Sequence, residues 1–250
     1  MVLLNLAKFF VLPVLTLISF GTNSADLNLR KGMGLNDGSY VPAAIIIKGD
    51  ISQGDYDKFF GLFVDSLTHE YPVEDIVITG SNGGDLDEAI KIGRFIDRFY
   101  LPVKSFGDCY SACSFILFSA KYRIFVGRVG LHRPYFDKAY YAGLSAGKAQ
   151  LRYKEMSAVV REYLIEQDVA VNVIDKMFSV SSSDMWILNS NEAFEIFGIM
   201  KPSFHEWVKA KCSGGGSVYL DVDSECLNKV MWSAKNEELL KWLEQGLESM

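Results

Sequence analysis

The chain has 250 residues, 49% of them hydrophobic and 22% charged, with a formal net charge of −6. That length and apolar content can build one compact domain with a small addition and exclude wholesale disorder. The acidic balance and the lack of a long Lys/Arg run exclude nucleic acid as the main partner, because phosphate binding needs clustered positive charge.

Residues 1–25 carry one basic side chain, Lys8, then the apolar stretch 9–20, then small and polar residues ending in Asn23, Ser24 and Ala25. This order predicts a signal peptide cleaved near Ala25, and hence export, in a bacterium to the periplasm. A membrane anchor would need about 20 uninterrupted apolar residues, whereas Pro13 and the polar stretch 21–24 interrupt this one.

Along the remaining chain, apolar spacing alternates between strand and helix. AAIIIK at Ala43–Lys48 reads as a strand, 49–54 as a turn, and 56–67 as a helix with Phe59, Phe60, Phe63 and Leu67 on one face. A second cycle has strand 75–79 (DIVIT), the breaker GSNGG at 80–84, and helix 86–99 with Ala89, Ile90, Gly93, Ile96 and Phe99 recurring. A third runs through strand 102–106, Gly107, a small-residue helix near 111–120 and strand 123–126. Such alternation predicts a mainly parallel sheet covered by helices. Beyond Tyr140 the chain reads as helical, and residues 146–167 carry an apolar stripe suited to a core or a subunit contact. Residues 201–250 read as a separate appendage with a Gly-rich turn at 214–216 and a final amphipathic helix over 225–247.

Four cysteines, at 109, 113, 212 and 226, follow the leader. In an oxidising compartment an even count predicts two bridges; three connectivities exist, and loop closure favours Cys109 with Cys113 and Cys212 with Cys226. Neither pair forms CxxC and no histidine is close to either in sequence. No metal and no cofactor are expected.

The chemistry concentrates between residues 80 and 135. Gly83 and Gly84 end a strand, where glycine lets backbone N–H groups turn toward an oxyanion. Ser111 enters a helix, beside free N–H groups and the positive end of the helix dipole. His132 ends another strand, and histidine is the side-chain type best suited to act as a base near neutral pH. Taken singly, Ser111 reads as a helix cap, the glycines as a turn and His132 as a structural histidine, like His69 and His205. Their order gives them a joint meaning.

Residues 43–200 resemble the proteolytic subunit of the caseinolytic (Clp) protease, and still more its exported relatives. The matching stretches are IIIKGDI, SNGG followed by DEAIKIGRFI, GDCYSACSFILFSA, RIFVGRVGLHRP, and DMWILNSNEAFEIFGIM at 184–200. The resemblance implies an α/β fold of the ClpP/crotonase kind, with repeated β-β-α units on a mainly parallel sheet. It makes 26–200 the domain and leaves 1–25 and 201–250 outside. It implies Ser111 as nucleophile, His132 as general base and then acid, and Gly83 with Ala112 as oxyanion N–H donors. Asp184 falls in the acid-bearing segment, and equally reads as an ordinary loop aspartate.

Asn82 stands where the family has proline, and Cys113 where glycine is common. A Cys109–Cys113 bridge would lock the nucleophile turn, either preorganising the site or distorting it. Export separates the chain from cytoplasmic unfoldases, so no ATPase partner is expected and the implied substrate is a peptide or an unfolded protein segment. The family also assembles into rings, which implies a homo-oligomer through residues 146–178. Three function classes follow. The first is a serine peptidase working through an acyl-enzyme. The second is a catalytically silent Clp-like binding or scaffold protein. The third, an acyl-CoA enzyme of the crotonase kind, is disfavoured by export and by the lack of a basic cluster for its phosphates. Lys121 and Lys138 could supply a Ser-Lys dyad, which His132 makes unnecessary.

Overall fold

The computed structural model describes residues 24–212 and 222–248. The expected signal peptide up to residue 23 and the expected Gly-rich turn lie outside the described residues.

The described chain opens with β1 (Asp26–Arg30), whose DLNLR pattern alternates exposed and half-buried residues. A small hairpin follows, β2 (Met33–Gly34) with β3 (Tyr40–Val41). Next come β4 (Ala43–Lys48), α1 (Asp55–Ser66), β5 (Val73–Gly80) and α2 (Leu86–Arg98). The third cycle contains two short strands, β6 (Val103–Ser105) and β7 (Cys109–Tyr110), then α3 (Ala112–Ser119). The fourth has β8 (Arg123–Phe125) and β9 (Val129–Leu131), then α4 (Lys138–Ala142), α5 (Ala146–Glu166) and α6 (Val171–Ser179). The described chain closes with β10 (Trp186–Leu188), α7 (Ser190–Phe197), α8 (Pro202–Lys211) and α9 (Ser224–Glu248).

The main sheet has the order β1-β4-β5-β6-β8, and every pairing in it is parallel except that of β1 with β4. A second sheet has the order β10-β9-β7, parallel between β7 and β9. The two are serially connected. After β6 the chain crosses to β7, and after β8 to β9; at the corresponding places after β4 and β5, isolated bridges Ile51↔Gly84 and Ser81↔Cys109 replace a full strand. Four times, then, a main-sheet strand is followed by a short second-sheet segment and a helix. The crossings stack closely: a β-carbon on Gly107 would meet Thr79 O at 2.1 Å, and one on Gly127 would meet Gly107 O at 2.0 Å. Only glycine permits that approach.

The central strands are apolar runs buried on both faces, as parallel strands between helices should be. Asp85 caps α2 by accepting from Glu88 N–H. The buried face of α2 packs Phe95 against Phe63 and Phe99, with ring centroids 4.8 and 4.6 Å apart. All eight residues of α3 are buried. Its C-terminal end is tied by Arg123, itself 1% exposed, which donates to Phe118 O at 3.0 Å and to Phe197 O at 2.6 Å at the end of α7.

The described residues beyond Met200 belong to two cores. Phe204, Val208, Leu227 and Met231 form a cluster with Met200, and the Cys212–Cys226 bridge joins α8 to α9 with Cα atoms 5.7 Å apart. Farther along α9, Lys235 Nζ donates to Val73 O at 2.7 Å and Trp242 packs edge-on to Phe60 and Phe99 at 6.0 and 6.1 Å. Both disulfides join the cysteines that loop closure favours. Among the described residues no helix is long and apolar enough to cross a membrane.

Candidate active site

Three segments converge where the main sheet passes into the second one. The Ser81–Gly84 loop lies beside the 108–110 segment, held by Ser81 N–H to Asp108 O at 2.8 Å and Tyr110 N–H to Ser81 O at 3.0 Å. The same segment pairs on its other side with β9: Cys109 N–H donates to Arg128 O at 2.8 Å, and Ser111 N–H to Gly130 O at 2.8 Å. His132 follows Leu131 at the end of β9, two residues beyond the carbonyl that receives Ser111. The parallel ladder therefore places Ser111 and His132 on adjacent segments, with Gly83 on the third.

Ser111 is strained. Its backbone sits at φ 53°, ψ −124°, and although it occupies the cap position of α3 its side chain makes no capping hydrogen bond. Such a conformation costs a non-glycine residue about 1–3 kcal/mol. Ala112, 2% exposed, begins α3, so its N–H has no intrahelical acceptor. A β-carbon on Gly83, which has φ 107°, would lie 2.8 Å from Tyr110 O and 2.6 Å from Ser111 Cβ. Gly83 N–H donates to the buried Ser81 hydroxyl at 3.2 Å.

Two braces hold the turn. Cys109 and Cys113, both fully buried, are bonded across Ser111 with Cα atoms 5.3 Å apart. Asp108 accepts from Arg128 Nη2 at 2.5 Å and from Tyr110 OH at 2.8 Å. The hydrogen-bonded Arg128 guanidinium holds the Asp108 carboxyl well below the usual carboxylate range.

His132 is 8% exposed, and its Nδ1 lies 2.8 Å from Arg133 O. A carbonyl can only accept, so Nδ1–H is the donor, and in the neutral ring Nε2 is the nitrogen with the lone pair. Ser111 Oγ and His132 are not hydrogen-bonded in this conformation. Asp184 is exposed, its N–H bonded to Ser181 O at 3.1 Å, and its carboxylate makes no hydrogen bond to His132. Backbone pairing thus sets the segments of Gly83, Ser111 and Ala112 beside the strand that leads into His132, and no hydrogen bond joins Asp184 to the histidine. Three participants escape a reading of the sequence: the Arg133 carbonyl, the Ser81 hydroxyl and the Asp108–Arg128 brace. Only the last has a sequence signal, an acid and a base each one residue before paired strands.

A cleft of about 220 Å³ is lined by Leu86, Ile90, Phe136, Tyr140, Met156 and Val160 together with the charged residues Asp87, Arg152 and Glu155. Two of its walls are continuations of the site loops, α2 after Gly84 and the chain after His132. Among the described residues no group of His, Cys, Asp or Glu is arranged to hold a metal ion.

No protein-family model matches the chain, and no curated protein does.

Proposed function

We propose that the chain is an exported serine hydrolase, a peptidase of the Clp-protease/crotonase kind, with Ser111 as nucleophile and His132 as base. The observation that carries this reading is Ser111 itself: a serine held at positive φ at the first turn of a buried helix, with a hydroxyl that does not cap it. A serine present for structure alone would cap the helix or relax its backbone. The strand-to-second-strand-to-helix order, repeated four times, supports the fold assignment.

In the proposed reaction Ser111 Oγ attacks a carbonyl and passes its proton to His132 Nε2. The Arg133 carbonyl, on Nδ1–H, keeps the ring in the required tautomer, the task a carboxylate performs in a full triad. The Ala112 N–H receives the oxyanion, joined by Gly83 N–H once the Ser81 hydroxyl rotates away. The acyl group then leaves to water, with His132 returning the proton. The cleft receives an apolar side chain of the peptide. With no unfoldase in the exported compartment, the substrate is a short peptide or an unfolded segment.

A specific observation favours the second reading, a silent binding or scaffold protein: Gly83 N–H is occupied by Ser81 and, among the described residues, no carboxylate is hydrogen-bonded to His132. Labelling of the oxidised mature protein with a fluorophosphonate separates the two. Labelling that Ser111→Ala abolishes supports the hydrolase; absence of labelling in folded wild type supports the scaffold.

A further inference from the structure

Asp55 plays no part around Ser111, yet its side chain is 0% exposed. It opens α1 and accepts four hydrogen bonds: from Ser52 N–H at 2.8 Å, Ser24 Oγ at 2.7 Å, Lys58 Nζ at 3.0 Å and Ala25 N–H at 3.3 Å. Burial by itself would raise its pKa, but the donors from Ser24, Ser52 and Lys58 outweigh that and hold it lowered, so the carboxylate is ionised. It is a buried negative charge whose only cationic partner among the described residues, Lys58, has a half-exposed side chain.

The first described residues lie at this carboxylate. Ser24 is exposed, Ala25 is 6% exposed, and Asp26 already pairs with Lys48 in the sheet. The Ser24–Ala25 peptide bond therefore joins an exposed residue to a buried one. Its upstream sequence is Thr22-Asn23-Ser24, which puts small hydroxyl residues at the first and third positions before the bond, the pattern an export peptidase reads. A cut one residue later would put the larger Asn23 at the third position.

We propose that the leader is removed between Ser24 and Ala25, and that buried Asp55 is the receptor for the α-ammonium this creates. Water supplies the atoms: its oxygen bonds to the Ser24 carbonyl carbon, the C–N bond breaks, and the nitrogen of Ala25 gains two protons. The leader departs with a carboxylate and the mature chain begins with an ammonium at Ala25. That nitrogen already lies 3.3 Å from Asp55 Oδ2, so docking needs no rearrangement. One amide donor becomes a charged group with three, which replaces the departing Ser24 hydroxyl and neutralises the buried carboxylate. This inference does not depend on the chemistry of Ser111.

The test begins with the full precursor expressed in an exporting bacterial host. Intact mass and N-terminal sequencing of the secreted protein should give a chain starting at Ala25; any other start overturns the proposal. Next, chains starting at Ala25, or at one extra glycine before it, are compared with Asp55 intact and as Asp55→Asn. The glycine should lower Tm by about 2–4 °C with Asp55 present and change nothing in the Asp55→Asn background. A penalty that is absent, or that persists without the carboxylate, overturns the receptor role. If Asp55→Asn does not fold, the wild type still decides: an amine-acylating reagent at neutral pH should modify Ala25 at least about tenfold more slowly in the folded protein than in urea, and equal rates refute the proposal.

Discussion

Gly83 and Ser111 face each other with no room for a side chain between them: a β-carbon on Gly83 would come within 2.6 Å of Ser111 Cβ and 2.9 Å of Ala112 N. Gly83→Ala must therefore push the serine turn aside while also adopting φ 107°. The expected cost is roughly 1–3 kcal/mol, with complete loss of fluorophosphonate labelling. Gly61→Ala is the control, since a β-carbon there meets nothing within 4 Å and helix propensity alone should stabilise by up to about 1 kcal/mol. Thermal unfolding of both variants, with labelling alongside, checks the pair.

Ser111 should show a conflict between stability and chemistry. Ser111→Ala keeps a β-carbon at φ 53° and so keeps the strain, whereas Ser111→Gly removes it. Urea titration should find Ser111→Gly more stable than Ser111→Ala by about 1 kcal/mol, with both variants unreactive. A glycine variant less stable than the alanine one would mean that the turn is not under strain.

Asp184→Asn should hardly matter. With His132 Nδ1 bonded to the Arg133 carbonyl, the tautomer is set without it, and kcat/KM should fall less than about tenfold, against about 10⁴ for losing a triad acid. A loss near the larger figure would mean that Asp184 moves onto His132 when substrate binds.

Lys235 predicts an unusual pH dependence. Burial lowers its pKa to about 8, against the opposing pull of Glu74 and Asp75. The unfolded lysine holds its proton up to about 10.5 while the folded one releases it near 8, so between those limits the unfolded state binds more protons and this group adds stability as pH rises. Lys235→Met should be close to wild type or more stable at pH 7, because it removes a buried charge at the expense of the bond to Val73 O. Its advantage over wild type should shrink between about pH 8 and 10.5. An advantage that stays constant across that range would contradict the depressed pKa.

The parts of this molecule that can be read from the sequence are those whose cause is local. Strand β4 falls at Ala43–Lys48 as expected, and α2 and α5 each end one residue before the expected limit, because apolar period and caps decide them. Helix α3 has no polar face, since all eight residues are buried; its small-residue composition locates it, but Ser111 falls just outside it. Strands β7 and β9 are too short to carry a period and exist through pairing with each other. Strand β1 and the β2–β3 hairpin lie outside the elements expected from the sequence, and α6 and α8 fall within the stretch beyond Tyr140 that reads as helical, without bounds of their own. The positive φ of Ser111 leaves no trace in a residue that is not glycine, and a main-chain partner such as Arg133 O has no side-chain signature at all. Lys235 reads as one more cation on an amphipathic helix; only the docking of α9 on Val73, 162 positions away, makes it buried.

The bond across Ser111 also carries information about the history of the molecule. Cys109 and Cys113 are both 0% exposed, so in the finished fold neither oxidant nor reductant reaches them readily, and the link has to form while the chain is still folding. A copy that folds among reducing thiols finishes with that turn unbolted. Two molecules of identical sequence can then differ at the serine according to where each one folded, and the shape of that turn becomes a lasting mark of the compartment in which the chain first closed.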